Sequence, residues 1–139
     1  MRTLQLLLLL ALPAFGFAQS RLKVVVLLNK PHEGGVLRVS VYPSAKAYKA
    51  DSACVLRALD VDGTTMETCI IDSLTPGIYA VRVFQDMNFN GILDKSWIGW
   101  PQEPYGFSND APINAGPPAF KLAAIQVKPG DQTTRVLLR

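Results

Sequence analysis

Gly77-Ile78-Tyr79-Ala80-Val81-Arg82-Val83-Phe84 is the most strand-like segment of this chain. Its β-branched and aromatic residues alternate so that Tyr79, Val81 and Val83 share one face and Ala80, Arg82 and Phe84 the other. A strand apolar on one face and largely apolar on the second belongs in the middle of a sheet. Arg82 is the exception on its face, and its stem is expected to cover the sheet while its head reaches solvent. On either side the same period of about two recurs in short runs, at 22–28, 36–42, 53–59, 66–71, 120–127 and 133–138. No segment of the mature chain carries apolar residues at i, i+3, i+4, i+7 over several turns. Glu33-Gly34-Gly35, Asp60-Val61-Asp62-Gly63, Thr75-Pro76-Gly77 and Pro129-Gly130-Asp131 separate the runs with turn residues. Seven short strands in one small domain predict an all-β, two-sheet sandwich of immunoglobulin-like or transthyretin-like type.

The chain has 139 residues, 49% of them apolar and 18% charged, which allows one hydrophobic core and argues against disorder. Fourteen Lys and Arg against eleven Asp and Glu leave a formal charge of +3 with no long basic run, so no nucleic-acid partner is expected. Two Cys and one His cannot make a tetrahedral Cys/His zinc site. Arg2, the apolar run from Leu4 to Leu12 and the small residues Gly16 and Ala18 have the form of a secretory signal peptide over 1–18, followed by one domain over 19–139. The apolar run is shorter than the roughly 20 residues that span a bilayer, so no membrane span is expected after cleavage. Export places the protein in the periplasm or outside the cell. There a disulfide is favoured. A four-residue hairpin turn at 60–63 would set Cys54 opposite Cys69, and a cross-strand bridge between them is expected.

From 85 to 118 the strand signals thin out, and Gly, Pro, Asn and aromatic residues dominate. A loop of this length in a small domain is functional or held by something. Asp86-Met87-Asn88-Phe89-Asn90-Gly91-Ile92-Leu93-Asp94 puts oxygen-bearing side chains at relative positions 1, 3, 5 and 9 and Gly at 6. Calcium needs six to eight oxygens, and a curled backbone with this spacing aims the first, third and fifth side chains inward while the seventh residue offers its carbonyl. Asp86, Asn88, Asn90, Asp94 and the Ile92 carbonyl are therefore the candidate calcium ligands, the alternative being a cluster of ordinary Asx-turns with no ion. The Ile92 side chain and Leu93 are expected to pin the loop to the core. Position 12, where a helical hand has a bidentate Glu, is Trp97, so completion falls to Glu103, with Asp110 next. Two formal charges in the loop imply weak binding, on the order of 10⁻⁴ to 10⁻³ M as in extracellular modules.

Trp97, Trp100, Tyr105 and Phe107, interleaved with Gly and Pro, form either a shallow sugar- or peptide-binding platform or the loop's own small core. Ser108 has no nearby base, since the single His, His32, stands in a distant turn, and its expected role is to cap a turn.

Taken in order, Gly77-Ile78-Tyr79-Ala80-Val81, Phe84-Gln85-Asp86-x-Asn88-x-Asn90-Gly91-x-Leu93-Asp94, Gly99-x-Pro101-x-Glu103, Tyr105-Gly106-Phe107-Ser108-Asn109 and Gly116-Pro117-Pro118-x-Phe120 resemble the secreted bacterial proteins of domain-of-unknown-function family 2141. The resemblance covers nearly all of the mature chain and implies an exported β-sandwich. The Gly-Ile-Pro of that family is replaced here by Gly99-Trp100-Pro101. The expected function is a non-catalytic binding or structural module whose partner is an envelope or extracellular protein or a glycan. The alternative is a small hydrolase that uses Asp86, Asp94 or Glu103 with a loop-bound ion as Lewis acid.

Overall fold

The computed structural model describes residues 19–139, so the signal peptide expected at 1–18 lies outside the described residues. β5 (Gly77–Asp86) is the strand on which both halves of the molecule are built. It pairs antiparallel with β2 (Val36–Tyr42) at Ala80 to Asp86, with β6 (Tyr105–Phe107) at Arg82 to Phe84, and with β7 (Ile125–Val127) at Gly77 to Tyr79. β3 (Val55–Asp60) closes the far side of β2, giving a five-stranded sheet of order β3-β2-β5-β6 with β7 against β5. The second sheet has three strands in the order β4-β1-β8, with β4 (Met66–Leu74) antiparallel and β8 (Gly130–Leu137) parallel to β1 (Ser20–Leu27). The expected all-β two-sheet sandwich is the fold found.

The period-two reading of β5 holds at both faces. Tyr79, Val81 and Val83 join Leu37, Val39 and Val41 of β2, Leu22, Val24 and Val26 of β1, Ile71 of β4 and Val136 of β8 in the core between the sheets. Ala80 and Phe84 belong to a second core on the outer face of the same sheet, with Tyr105, Phe107, Ala111 and Ala123. Burying both faces of one strand removes water from two apolar surfaces, and each fully buried Val or Phe contributes roughly 1.5–3 kcal/mol. The second core is roofed by α1 (Ala45–Lys49) and α2 (Phe120–Ala123), whose Tyr48 and Phe120 pack against it. Ser44 caps α1 by accepting from the Ala47 N–H at 3.1 Å.

The described residues form eight strands instead of the expected seven, β6 being the addition, and the strands differ from expectation in two places. The run expected at 120–127 divides into α2 and β7, because a helical turn puts Phe120 and Ala123 together on the outer core while the extended Ile125 and Val127 reach the inner one. The segment 85–118 is not one uninterrupted loop, since β6 crosses it. Gly106 at the centre of β6 gave no strand signal, yet a side chain there would collide with the Leu137 carbonyl of β8. Only Gly lets the two backbones approach.

The cross-strand disulfide is the clearest correction. Both cysteines are free, Cys54 exposed just before β3 and Cys69 buried on β4. The turn at 60–63 does not close a hairpin: the Val61 N–H still donates to Gly35 beside the five-stranded sheet, whereas the Thr65 carbonyl already accepts from Leu28 at the end of β1. The chain thus changes sheets between β3 and β4, and the register that would have set the cysteines opposite each other never forms. Burial pushes both thiols up in pKa. The folded protein is expected to take up one alkyl group quickly at Cys54 and a second at Cys69 only on unfolding. Mass spectrometry before and after denaturation checks this, and a reduction-dependent mass would contradict it.

Candidate functional site

β5 delivers Asp86 to the rim of the sheet with no exposed side-chain surface. Its Oδ2 accepts from the Gly91 N–H at 2.9 Å and from the Arg38 guanidinium at 2.8 Å, and its Oδ1 accepts from the Asn90 N–H at 3.1 Å. Burial pushes this carboxyl up, but the Gly91 N–H, Arg38 and the Asn90 N–H together hold it below the ordinary carboxylate value. The loop curls because Phe89 and Gly91 take left-handed backbone angles, φ 62° and 77°. Asn88 Oδ1 accepts from the Asn90 N–H at 3.2 Å, and Asn90 Oδ1 from the Ile92 N–H at 2.9 Å.

Asn88 and Asn90 also turn their amide nitrogens onto Asp94, at 2.6 and 3.0 Å. Asp86, Asn88, Asn90 and Asp94 thus belong to one hydrogen-bonded curl. Among the described residues no cluster of three or more His, Cys, Asp or Glu could hold a metal, so any cation here is held by this mixed carboxylate and amide set. As placed, the two Asn oxygens accept from main-chain N–H groups and the amide nitrogens face Asp94, so holding a hard cation requires both amides to rotate and give up those main-chain bonds. Glu103, 6% exposed, reaches the same loop, but its carboxylate accepts from the Met87 N–H at 2.9 Å and the Asp94 N–H at 3.1 Å. It ties the two ends of the curl together. The Ile92 side chain points to solvent at 67% exposure instead of anchoring the loop; Leu93 alone packs on the second core. Asp110 lies elsewhere, paired to Arg135 of β8 at 2.7 Å.

The four aromatics separate into two pairs. Tyr105 and Phe107 are buried in the second core, with ring centroids 5.8 Å apart in an edge-on arrangement, so they do not share an exposed platform with the tryptophans. Trp97 and Trp100 stand on a tight turn closed by hydrogen bonds from the Gly99 N–H to Ser96 and from the Ser96 N–H to Trp100, both 2.8 Å. Trp97 is 97% exposed and Trp100 58%. Two exposed indoles at one tip are an unusual use of apolar surface.

Ser108 is fully buried, accepting from the Val81 N–H at 2.9 Å and donating to the Ala123 carbonyl at 2.5 Å. It fastens α2 to β5 and is closed to substrate. His32 is exposed in the turn before β2. Arg82 behaves differently from the expected solvated head. Its Nη2 donates to Asp51 Oδ1 at 2.8 Å, the guanidinium carbon lies 5.5 Å from the Tyr42 ring centre, and its Nε is buried without a partner. Asp51, which the sequence reading passed over, also accepts from the Tyr42 hydroxyl. Burial pushes its carboxyl up, and Tyr42, Arg82 and Lys95 outweigh that and hold it below its ordinary value. The only local signal for this group was a charged residue in the middle of an apolar strand.

No curated protein and no solved structure matches the chain significantly. The described residues contain no helix long and apolar enough to cross a membrane. A family model described as an uncharacterized protein conserved in bacteria (DUF2141) matches residues 25–135, from the first strand through the curled loop and β6 into the last strand, and the chain belongs to that family.

Proposed function

We propose that the protein is an exported, non-catalytic binding module in which a calcium-braced loop presents Trp97 and Trp100 to an envelope partner or a glycan. The observation that carries this reading is the gathering of Asp86, Asn88, Asn90 and Asp94 beneath a turn that exposes two indoles. Calcium, when bound, supplies charge that holds these oxygens together and stiffens the curl. The chain does the rest. Glu103 closes the curl, Leu93 anchors it to the second core, and the Ser96 to Trp100 turn holds the aromatics off the surface. Indoles held this way present large rigid contact area at small entropic cost. The hydrolase reading, which would use Asp86, Asp94 or Glu103, is the weaker one: Asp86 is buried, both contacts of Glu103 are to main-chain N–H groups, and Asp94 is occupied by the amides of Asn88 and Asn90.

Millimolar calcium is expected to stabilise the folded state by about 0.4 to 1.4 kcal/mol for the weak affinities given above, a rise in melting temperature of roughly 1 to 6 °C. Magnesium has a smaller effect, since it demands a tighter octahedron and dehydrates reluctantly. Asp94→Asn removes the rise by deleting a charged ligand, whereas Asp110→Ala keeps it. Thermal melts in calcium, magnesium and chelator measure all of these, and identical curves in every buffer would remove calcium from the account. A glycan array probed with wild type and Trp97→Ala tests the contact surface separately; equal binding by both proteins would show that the indoles are not the contact.

A further inference from the structure

Beside the second core, between α1 and the segment leading into α2, lies a cavity of about 400 Å³ walled by Tyr48, Phe107, Pro118 and Phe120 and edged by Lys49 and Arg82. It shares Arg82, Phe107 and Pro117 with a smaller hollow that Gly99 of the indole turn also lines. Its size falls within the range of small-molecule sites, and its walls are mostly apolar with a few polar groups converging at one side. The Tyr48 hydroxyl donates to the Pro118 carbonyl at 3.0 Å, which fixes one wall to the other and uses up the hydroxyl. Burial pushes that phenol up to about 12, so it stays neutral and the wall stays uncharged.

Charge collects around Arg82. It also borders a groove of about 540 Å³ over β2 and β3 and a small hollow lined by Lys95 beneath the loop. Lys49 edges the cavity and Lys95 the hollow, with Arg82 common to both, and Asp51 is the carboxylate paired to Arg82, its Oδ1 accepting from both Tyr42 and Arg82. Among the described residues neither lysine makes an ion pair. The buried Nε of Arg82 has no partner, and a buried donor left unpaired is costly unless something completes it.

We propose that this cavity binds a small carboxylate carrying an apolar body. The carboxylate sits between Arg82 and Lys49, and the body lies against Tyr48, Phe107 and Phe120. A planar guanidinium pairs best with a planar carboxylate, and the uncharged walls suit a ligand with one charged end. None of the residues that wall this cavity is a proposed calcium ligand, although Arg82 also borders the hollow beneath the loop.

The probe is 3-phenylpropionate, titrated into the mature protein by calorimetry and by amide NMR, beside its uncharged analogue 3-phenylpropanamide and beside acetate. Saturable binding with shifts centred on Tyr48, Lys49, Arg82, Phe107 and Phe120 is expected, with the amide and acetate each weaker by about tenfold or more. Arg82→Gln is expected to weaken binding about tenfold or more while leaving the calcium-dependent melt in place. Because Arg82→Gln also releases Asp51 and Tyr42, Lys49→Gln provides a second variant at an exposed position, and it weakens binding about threefold without moving the melting temperature. The proposal is overturned if 3-phenylpropionate and its amide bind equally, if no saturable shift occurs at these residues, or if Lys49→Gln leaves binding unchanged.

Discussion

Asp86→Ala is expected to lower the unfolding free energy by about 3 kcal/mol, the low end of what breaking a buried ion pair costs, since Arg38 keeps a third of its side chain in water. The substitution strands the Arg38 guanidinium, leaves the Gly91 N–H without an acceptor at the rim of the sheet, and leaves the Asn90 N–H with Asn88 Oδ1 alone. Asp86→Asn retains one oxygen for those donors and is expected to lose less. The two variants also separate in acid. The Asp86 carboxyl is held below its ordinary value in the folded state, so its contribution is complete above the ordinary carboxylate pKa of about 4 and is lost as pH falls through the lower folded value. Wild-type stability should therefore decline below about pH 4 more steeply than that of Asp86→Asn. Urea denaturation at neutral pH and along an acid series reads both effects. A loss below about 1 kcal/mol for Asp86→Ala would mean that the pair contributes no more than a surface bridge.

Phe107→Ala is expected to cost about 3–5 kcal/mol, because it empties a fully buried position on the outer face of the five-stranded sheet. The ring meets Tyr105 at 5.8 Å and Tyr48 at 6.1 Å between centroids, both edge-on, so its removal loosens β6 and α1 together. Trp97→Ala, ten residues earlier in the same aromatic segment, is expected to change stability by no more than about 0.5 kcal/mol, since almost all of that side chain is already in water. Chemical denaturation of the two variants side by side gives the comparison. Equal losses would show that the indole turn packs on the domain in solution.

The difference between Phe107 and Trp97 shows how far local pattern reaches. Alternation along 77–84 assigns each residue of β5 to one of two faces, because the side-chain period of a strand is a property of the backbone itself. The oxygens at 86, 88, 90 and 94 are legible for a similar reason: the curl of nine residues is set by near neighbours and by Gly91. The all-β class, the central strand and the gathering of the loop side chains all follow from such short-range rules. Choice of sheet does not. Whether β4 pairs with β3 or with β1 depends on which distant apolar face it covers, and that choice separated Cys54 from Cys69. The same long-range packing placed Tyr105 and Phe107 inside and the tryptophans outside, made Glu103 a main-chain tie, and brought Asp51 and Lys95 to Arg82 across sequence separations that no local spacing encodes.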